Sequence, residues 1–314
     1  MWRYVARRLL QIVPVFIGTT FLIYALVFAL PGDPIQALSG GKPVPDSVLQ
    51  ALRDRYHLDE PLLVQYALYL GGLLTGDFGE TFTGQDVFTL MSEGWAVTAQ
   101  LAITAWLFEL VLGVSLGVLA GLNRGRALDT LVLAGTTLVI AVPVFVVGYT
   151  AQLLVGLKLG VLPTAGIDEG WPVSYVLPGL VLGAFGLAYV ARLTRTSLAE
   201  NLRADYVRTA VAKGLPRRRV VLRHTLRNSL IPVVTYLGID FGNLLAGAVV
   251  TEGIFNLPGI GQQVFSAIQS KEGPMVVGVT TFLVLAFLLV NLIVDLLYGV
   301  LDPRIRYAGS GARA

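Results

Sequence analysis

Hydrophobic and polar positions fall along this chain in long blocks. Six stretches carry one charged residue or none, and a helix crossing a bilayer core takes about 20 apolar residues. They are residues 9–30, 98–122, 131–157, 173–191, 228–250 and 275–301. The fourth is the shortest and is rich in glycine. The first is too long for a cleaved leader and lacks a small-residue cleavage site, so it reads as a retained helix. Three acids lie inside these runs: Glu109 and Asp240 near mid-span, and Asp295 near the inner end of the last. The pattern predicts an all-α polytopic membrane protein with six transmembrane helices.

The polar blocks differ in character. Residues 31–97 hold nine acids and three bases. Asp46 is expected to cap a helix running to about Tyr56, and Pro61 to open another. Residues 192–229 are strongly basic but keep helical spacing. Leu202, Tyr206, Ala210 and Val211 fall near one side, and Arg203, Arg208 and Lys213 largely elsewhere. Gly214 is expected to stop this helix, and Leu215-Pro216 to turn the chain into a second basic helix. Residues 251–264 are punctuated by glycine and proline and predict a broken segment at the outer face, with Ile254, Phe255, Leu257 and Ile260 as its apolar residues.

Charge sets the orientation. Eighteen of the 23 Lys and Arg residues lie in the N-terminal tail, in residues 123–130, in residues 192–229 or in the C-terminal tail. Only Lys42, Arg53, Arg55, Lys158 and Lys271 lie on the opposite side. The positive-inside rule then places both termini and the basic loop in the cytosol. Three regions follow: residues 1–30 as tail and first span, 31–97 as an extracytoplasmic subdomain, and 98–314 as a five-helix core with a cytosolic loop at about 192–229.

Composition narrows the chemistry. The chain is 55% hydrophobic and 14% charged, with 35 glycines and no cysteine. The glycines have no period and suit close helix packing in lipid. Without cysteine there is no disulfide framework. No phosphate loop of the G-x-x-x-x-G-K-[ST] type is present, so the chain is not expected to bind ATP in that way. The histidines, His57 and His224, fall on opposite sides of the membrane and cannot share a metal. No catalytic residues and no metal ligands are assigned. The intramembrane acids read either as pathway groups or as structural carboxylates paired with an arginine or a backbone amide. The basic loop reads as a helix pair presented to a partner protein, since lipid attraction explains its charge but not its glycine–proline break.

The loop around Asp205-Tyr206-Val207-Arg208-Thr209-Ala210 and Ala212-Lys213-Gly214-Leu215 resembles the coupling loop of binding-protein-dependent ABC importer permeases. It is most similar to the first permease subunit of the dipeptide/oligopeptide group. The likeness runs from Arg7-Arg8 through Pro31-Gly32-Asp33-Pro34, Leu58-Asp59-Glu60-Pro61-Leu62, Gln65-Tyr66 and Gly76-Asp77-Phe78-Gly79 to His224, Leu226, Arg227 and Asn228. It ends through Glu252, Phe255, Pro258, Gly259 and Gly261 at Asp302-Pro303-Arg304. Arg208-Thr209-Ala210 stands where the broader importer pattern has Glu-Ala-Ala, and Arg227 replaces its proline; the peptide branch resembles this chain at both sites.

The resemblance implies a type I ABC importer permease fold in a bacterial cytoplasmic (inner) membrane. It implies a pore-forming subunit that takes up di- or oligopeptides from an extracytoplasmic binding protein. The partners implied are a second homologous permease, one or two ATPase subunits carrying the ATP and magnesium, and membrane lipid; no nucleic acid is expected. Asp205, Tyr206, Val207, Arg208, Ala210, Lys213, Gly214, His224 and Arg227 are the expected coupling residues, within a lever helix at 200–213. Glu252, Phe255, Pro258, Gly259 and Gly261 are the expected outer gate or binding-protein contact. Nickel chelates or glutathione are alternative cargoes for the same machine. A proton-coupled secondary transporter is the alternative of a different class, and would depend on Asp240 or Glu109.

Overall fold

The structure, a computed structural model, describes residues 2–29 and 45–301; the Pro31–Pro34 and Asp302–Arg304 motifs lie outside the described residues. In chain order the helices are α1 (Trp2–Phe28), α2 (Asp46–Tyr56), α3 (Leu62–Leu74), α4 (Val87–Phe108), α5 (Val114–Leu122), α6 (Ala127–Ala141), α7 (Val144–Ala151), α8 (Val173–Leu182), α9 (Ala184–Asn201), α10 (Asp205–Ala212), α11 (Arg217–Arg219), α12 (Leu226–Ser229), α13 (Ile231–Phe255), α14 (Ile260–Ser270) and α15 (Gly273–Leu301). Three π-helical turns join α4 to α5 (Glu109–Gly113), extend α7 (Gln152–Lys158) and join α11 to α12 (Val220–Thr225). Among the described residues the one β-type pairing is an isolated bridge between Glu80 and Asp86.

Four helices are long and apolar enough to cross a membrane: Ala6–Phe28, Val87–Leu122, Ile231–Phe255 and Gly273–Leu296. Two bent helix pairs are apolar enough to cross when each is taken together. Ala127–Ala141 and Val144–Lys158 meet at 104°, and Val173–Leu182 and Ala184–Asn201 at 63°. The apolar run expected as one span over 131–157 is thus two arms. Pro143 supplies no N–H, and it forces Val142 into extended backbone (φ −98°, ψ 129°). In the other pair, Gly183 ends α8 at ψ −1°, one turn after Pro178.

The chain forms two compact units, Met1–Ala99 with Asn256–Ala314, and Gln100–Phe255. In the first, α1, α3 and α15 meet around Tyr24, Tyr66 and Val277. Tyr66 donates its hydroxyl to the Ile17 carbonyl at 2.9 Å, and its oxygen lies 2.8 Å from the Thr20 hydroxyl. The Gln65 amide donates to the carbonyls of Glu60 and Leu58, holding the turn before α3. Pro61 is the N-cap of α3 as expected. Asp46 is not a cap: Pro45 occupies that position in extended backbone, and Asp46 is already the first helical residue. There its charge acts on the helix dipole instead.

In the second unit one glycine row sets the packing. Gly113, Gly117 and Gly121 recur every four residues along the Val87–Leu122 helix, and all three press on α9. A Cβ on Gly117 would come within 2.5 Å of the Ala191 carbonyl and of Thr194. A Cβ on Gly113 would meet Val190, and one on Gly121 would meet Leu198. In lipid, burial offers little drive for helix association, so close backbone approach across small residues supplies it by van der Waals contact. Val190 of α9 also packs on Val233 and Leu237 of α13. The Trp106 indole donates to the Leu237 carbonyl at 2.9 Å, tying α4 to the same helix.

Gly117→Ala is expected to lower stability by about 1–3 kcal/mol, as overpacking against backbone does. Gly135→Ala, where no atom lies within 4 Å of the new methyl, is expected to change little. Thermal melting of the two purified variants in the same detergent checks both.

Candidate functional site

The basic loop folds into a helical hairpin. α9 ends at Asn201, the chain extends at Ala204 (φ −68°, ψ 151°), and α10 restarts at Asp205. The expected lever at 200–213 is thus shortened to Asp205–Ala212. The break also resets the register. Leu202 belongs to the end of α9, and the inward face of α10 is Val207 and Ala210, both buried, rather than the row Leu202, Tyr206, Ala210, Val211. Val207 and Ala210 pack on Val220, with Leu215 against them. Tyr206 and Val211 are exposed.

The C-terminus of α10 is closed by backbone alone. Leu215 N–H donates to the Ala210 carbonyl at 3.3 Å and Gly214 N–H to the Val211 carbonyl at 2.9 Å. These two bonds define a Schellman end, with Leu215 making its accompanying apolar contact. Gly214 takes φ +76°, a left-handed conformation that costs other residues about 1–2 kcal/mol. Lys213 is the exposed C-cap. Asp205 heads the helix, where a negative charge suits the dipole, and its 3.4 Å contact with Arg208 is solvent-exposed and contributes little. The Tyr206 hydroxyl donates to the Asn201 side chain at 2.7 Å, joining α10 to the end of α9. Beyond Pro216, Arg217, Arg218 and Arg219 are exposed, His224 lies half-buried in the π-turn and Arg227 is exposed. The result is a short helix gripped from behind, with Tyr206, Val211, Arg208 and Lys213 facing outward.

Two arginines one turn apart brace α9 from the other side. Arg195 forks onto Asp129 of α6, with Nε to Oδ1 at 2.8 Å and Nη2 to Oδ2 at 2.7 Å. Asp129 is buried and also accepts from the Gly125 N–H. Arg192 donates to the hydroxyls of Thr136 and Thr137. At the far end, the Ser229 hydroxyl of α12 donates to the Ser197 carbonyl at 3.4 Å. The helix that leads into α10 is therefore held to α6 and α12. Neither Asp129 nor Arg195 follows from the loop motif; the sequence signal for them is the Arg192-x-x-Arg195 spacing at the inner end of a span.

The outer residues are divided between the two compact units. Glu252 and Phe255 belong to Gln100–Phe255, on α13, and both are fully buried. The break expected within residues 251–264 falls at residues 256–259, with α13 continuing helically to Phe255 and α14 opening at Ile260. The Phe255 carbonyl accepts from Gly166 N–H, and the Ile254 carbonyl from the Gln152 amide. Pro258, Gly259 and Gly261 belong to the other unit. Asn256 turns the chain at φ +49°, Pro258 is exposed, and Gly259 and Gly261 are buried. Ile260 N–H, the first of α14, donates to the Thr98 hydroxyl at 2.9 Å, and Gln263 donates to the Leu90 carbonyl at 2.7 Å. Gly94 permits this contact, since its Cβ would lie 2.8 Å from Ile260 N.

Of the three intramembrane acids, Asp295 is paired with Arg8 at 3.0 Å, a structural contact between α15 and α1. Glu109 and Asp240 are not isolated groups: both are buried in the second unit, and each carboxyl lies within electrostatic reach of the other. Among the described residues no cluster of three or more His, Asp or Glu is arranged to hold a metal. A cavity of about 210 Å³ in the first unit is lined by Tyr24, Arg55, Tyr56, Tyr69, Asp77 and Phe78, among others. It is smaller than the roughly 300–1,000 Å³ typical of small-molecule sites.

Residues 113–307 match the family described as "Binding-protein-dependent transport system inner membrane component", and residues 1–90 match its N-terminal companion family. The dipeptide transport system permease protein DppB of Alkalihalophilus pseudofirmus is 35% identical over 98% of this chain and 100% of its own length. The di/tripeptide transport system permease protein DppB of Pseudomonas aeruginosa is 37% identical over 98% and 99%. The glutathione transport system permease protein GsiC of Salmonella typhimurium is 37% identical over 98% and 100%.

Arg195→Ala would remove both charged hydrogen bonds from the Asp129 carboxylate and leave it the Gly125 N–H and the nearby Arg124 charge, at a cost of about 1–3 kcal/mol. The expected result is a clear drop in melting temperature. The exposed Arg208→Ala should change stability by no more than about 0.5 kcal/mol and leave the melting temperature nearly where it was.

Proposed function

The chain belongs to the family of binding-protein-dependent transport system inner membrane components, multi-pass permeases of ABC importers that work with a binding protein and an ATPase, and from that premise we propose that its cargo is short peptides. Relatives of nearly equal similarity are named for dipeptides, for di- and tripeptides, and for glutathione, which is itself a tripeptide. A free amino group, a carboxylate and one or two amide bonds are what these cargoes share. A glutathione-only or nickel-chelate carrier is the second reading.

The observation that carries the mechanism is the Schellman-closed hairpin at Gly214. α10 is short, fixed at both ends and backed by Val220 and Leu215. Its outward face combines apolar Tyr206 and Val211 with basic Arg208 and Lys213, a composition that fits a protein groove with an acidic rim. In this reading each ATPase subunit holds one such helix, this chain supplies one, and a second homologous permease supplies the other. Movement of the ATPases on binding ATP displaces α10. Asn201 and the Arg195–Asp129 brace then pass the displacement to α9 and α6 as rigid bodies. The binding protein delivers peptide at the extracytoplasmic side, with the exposed Pro258 among its contacts.

Cargo is tested with the chain co-expressed and purified with its partner permease, ATPase and binding protein in liposomes. Di- to pentapeptides are expected to stimulate ATP hydrolysis only when the binding protein is present. Stimulation confined to glutathione or a nickel complex would overturn the general peptide reading.

Gly214→Ala is expected to reduce peptide uptake at least tenfold, while Gly214→Asn, which tolerates left-handed backbone, should retain more of it. Uptake by the alanine variant at the wild-type rate would remove Gly214 from the mechanism.

A further inference from the structure

Glu109 and Asp240 lie on different spans, and their meeting is not explained by the transport cycle described above. Glu109 opens the π-turn between α4 and α5 and is completely buried. Such turns insert one residue into the helix and so re-aim a side chain. Here the carboxyl is directed onto Gly186 of α9, where any Cβ would collide with it. This is the same glycine-against-helix register as Gly113, Gly117 and Gly121, with the small residue now on the opposite helix. Neither Glu109 carboxyl oxygen has a hydrogen-bond partner at bonding geometry among the described residues.

Asp240 is the acid facing Glu109 from α13, and it is also buried. Its Oδ1 accepts from the Tyr236 hydroxyl at 3.1 Å and from the Asn243 amide at 3.2 Å. The remaining titratable group in this cluster is Tyr189 on α9, whose ring lies 4.3 Å from that of Tyr236. The ionisable neighbours that act on the pair are thus these two tyrosines and the acids themselves. Arg192, on the same helix as Tyr189, is turned to Thr136 and Thr137.

Two buried carboxyls that act on each other, with no basic side chain among their described ionisable neighbours, cannot both carry full charge. One positive charge must enter. A hydrated ion needs room, and the backbone of Gly186 already closes the space around Glu109. A proton needs none. It also gives one of the two unpartnered Glu109 oxygens a partner, by turning it into a donor.

We propose that Glu109 and Asp240 form a proton-binding site at membrane depth, in which one proton taken from water is held between the two carboxyls and fastens the Val87–Leu122 helix to α13. Asp240, with two donors already on Oδ1, is the accepting side, and Glu109 is the donating side. The site is independent of cargo, so its failure and the failure of the peptide reading are separable.

Infrared spectroscopy of the assembled transporter in nanodiscs tests this directly. A protonated carboxyl gives a carbonyl band above the amide I band, and that band moves down in D₂O. At neutral pH the wild type is expected to show it, Glu109→Gln to lose it, and Asp240→Asn to shift its frequency by removing the charged acceptor. Should Glu109→Gln fail to assemble, the Asp240→Asn shift decides the matter. No such band in the wild type, or a band that neither variant alters, would overturn the proposal. So would a wild-type melting temperature that depends on sodium or potassium and loses that dependence in Glu109→Gln, since a metal ion would then hold the pair.

Discussion

The close approach of the Val87–Leu122 helix to α9 is the contact on which the second unit depends. Lipid offers two apolar helices little reason to leave it for each other, so their association rests on how nearly the backbones can meet. Gly113, Gly117 and Gly121 remove the side chains that would keep them apart. The same row fixes rotation and register, because one helix can enter the other's groove in only one setting without collision. Everything further along α9 inherits that setting: the face on which Arg192 and Arg195 reach α6, and the point at which Asn201 delivers the chain into α10.

The hairpin around α10 then follows a different physics. Its outward residues are exposed, and α10 is held by a small apolar contact, a left-handed glycine and a few backbone bonds rather than by an extended interface. Eight residues are too few for a helix to persist on its own. The packing of Val207 and Ala210 on Val220 keeps it formed and leaves the opposite side open to a partner. In a family that couples a membrane component to a separate ATPase, a preformed helix of this kind reduces the ordering cost of docking.

The three acids inside the spans show how one residue type takes unlike roles. Asp295 lies near a membrane face, partly exposed, and meets Arg8. Glu109 and Asp240 lie deeper, with hydroxyl, amide and carboxyl groups around them in place of a basic side chain. Reading each span separately treats all three as equivalent isolated charges. Their difference depends on which neighbour the packing supplies.

Much of this protein was legible without coordinates. The apolar runs located the four long apolar helices and the two bent pairs, and Gly214-Leu215-Pro216 marked the end of a helix. Each is a local property, since hydropathy and the sterics of positive φ act over a few residues at a time. Tertiary structure alone decided that two apolar runs are bent, that α10 turns Val207 and Ala210 inward and not Tyr206 and Val211, and that Phe255 ends a buried helix. It alone set Glu109 within electrostatic reach of Asp240, and joined Arg195 to Asp129. These depend on contacts between residues dozens of positions apart, and on small changes of helix phase at a π-turn or a break, which no local pattern encodes.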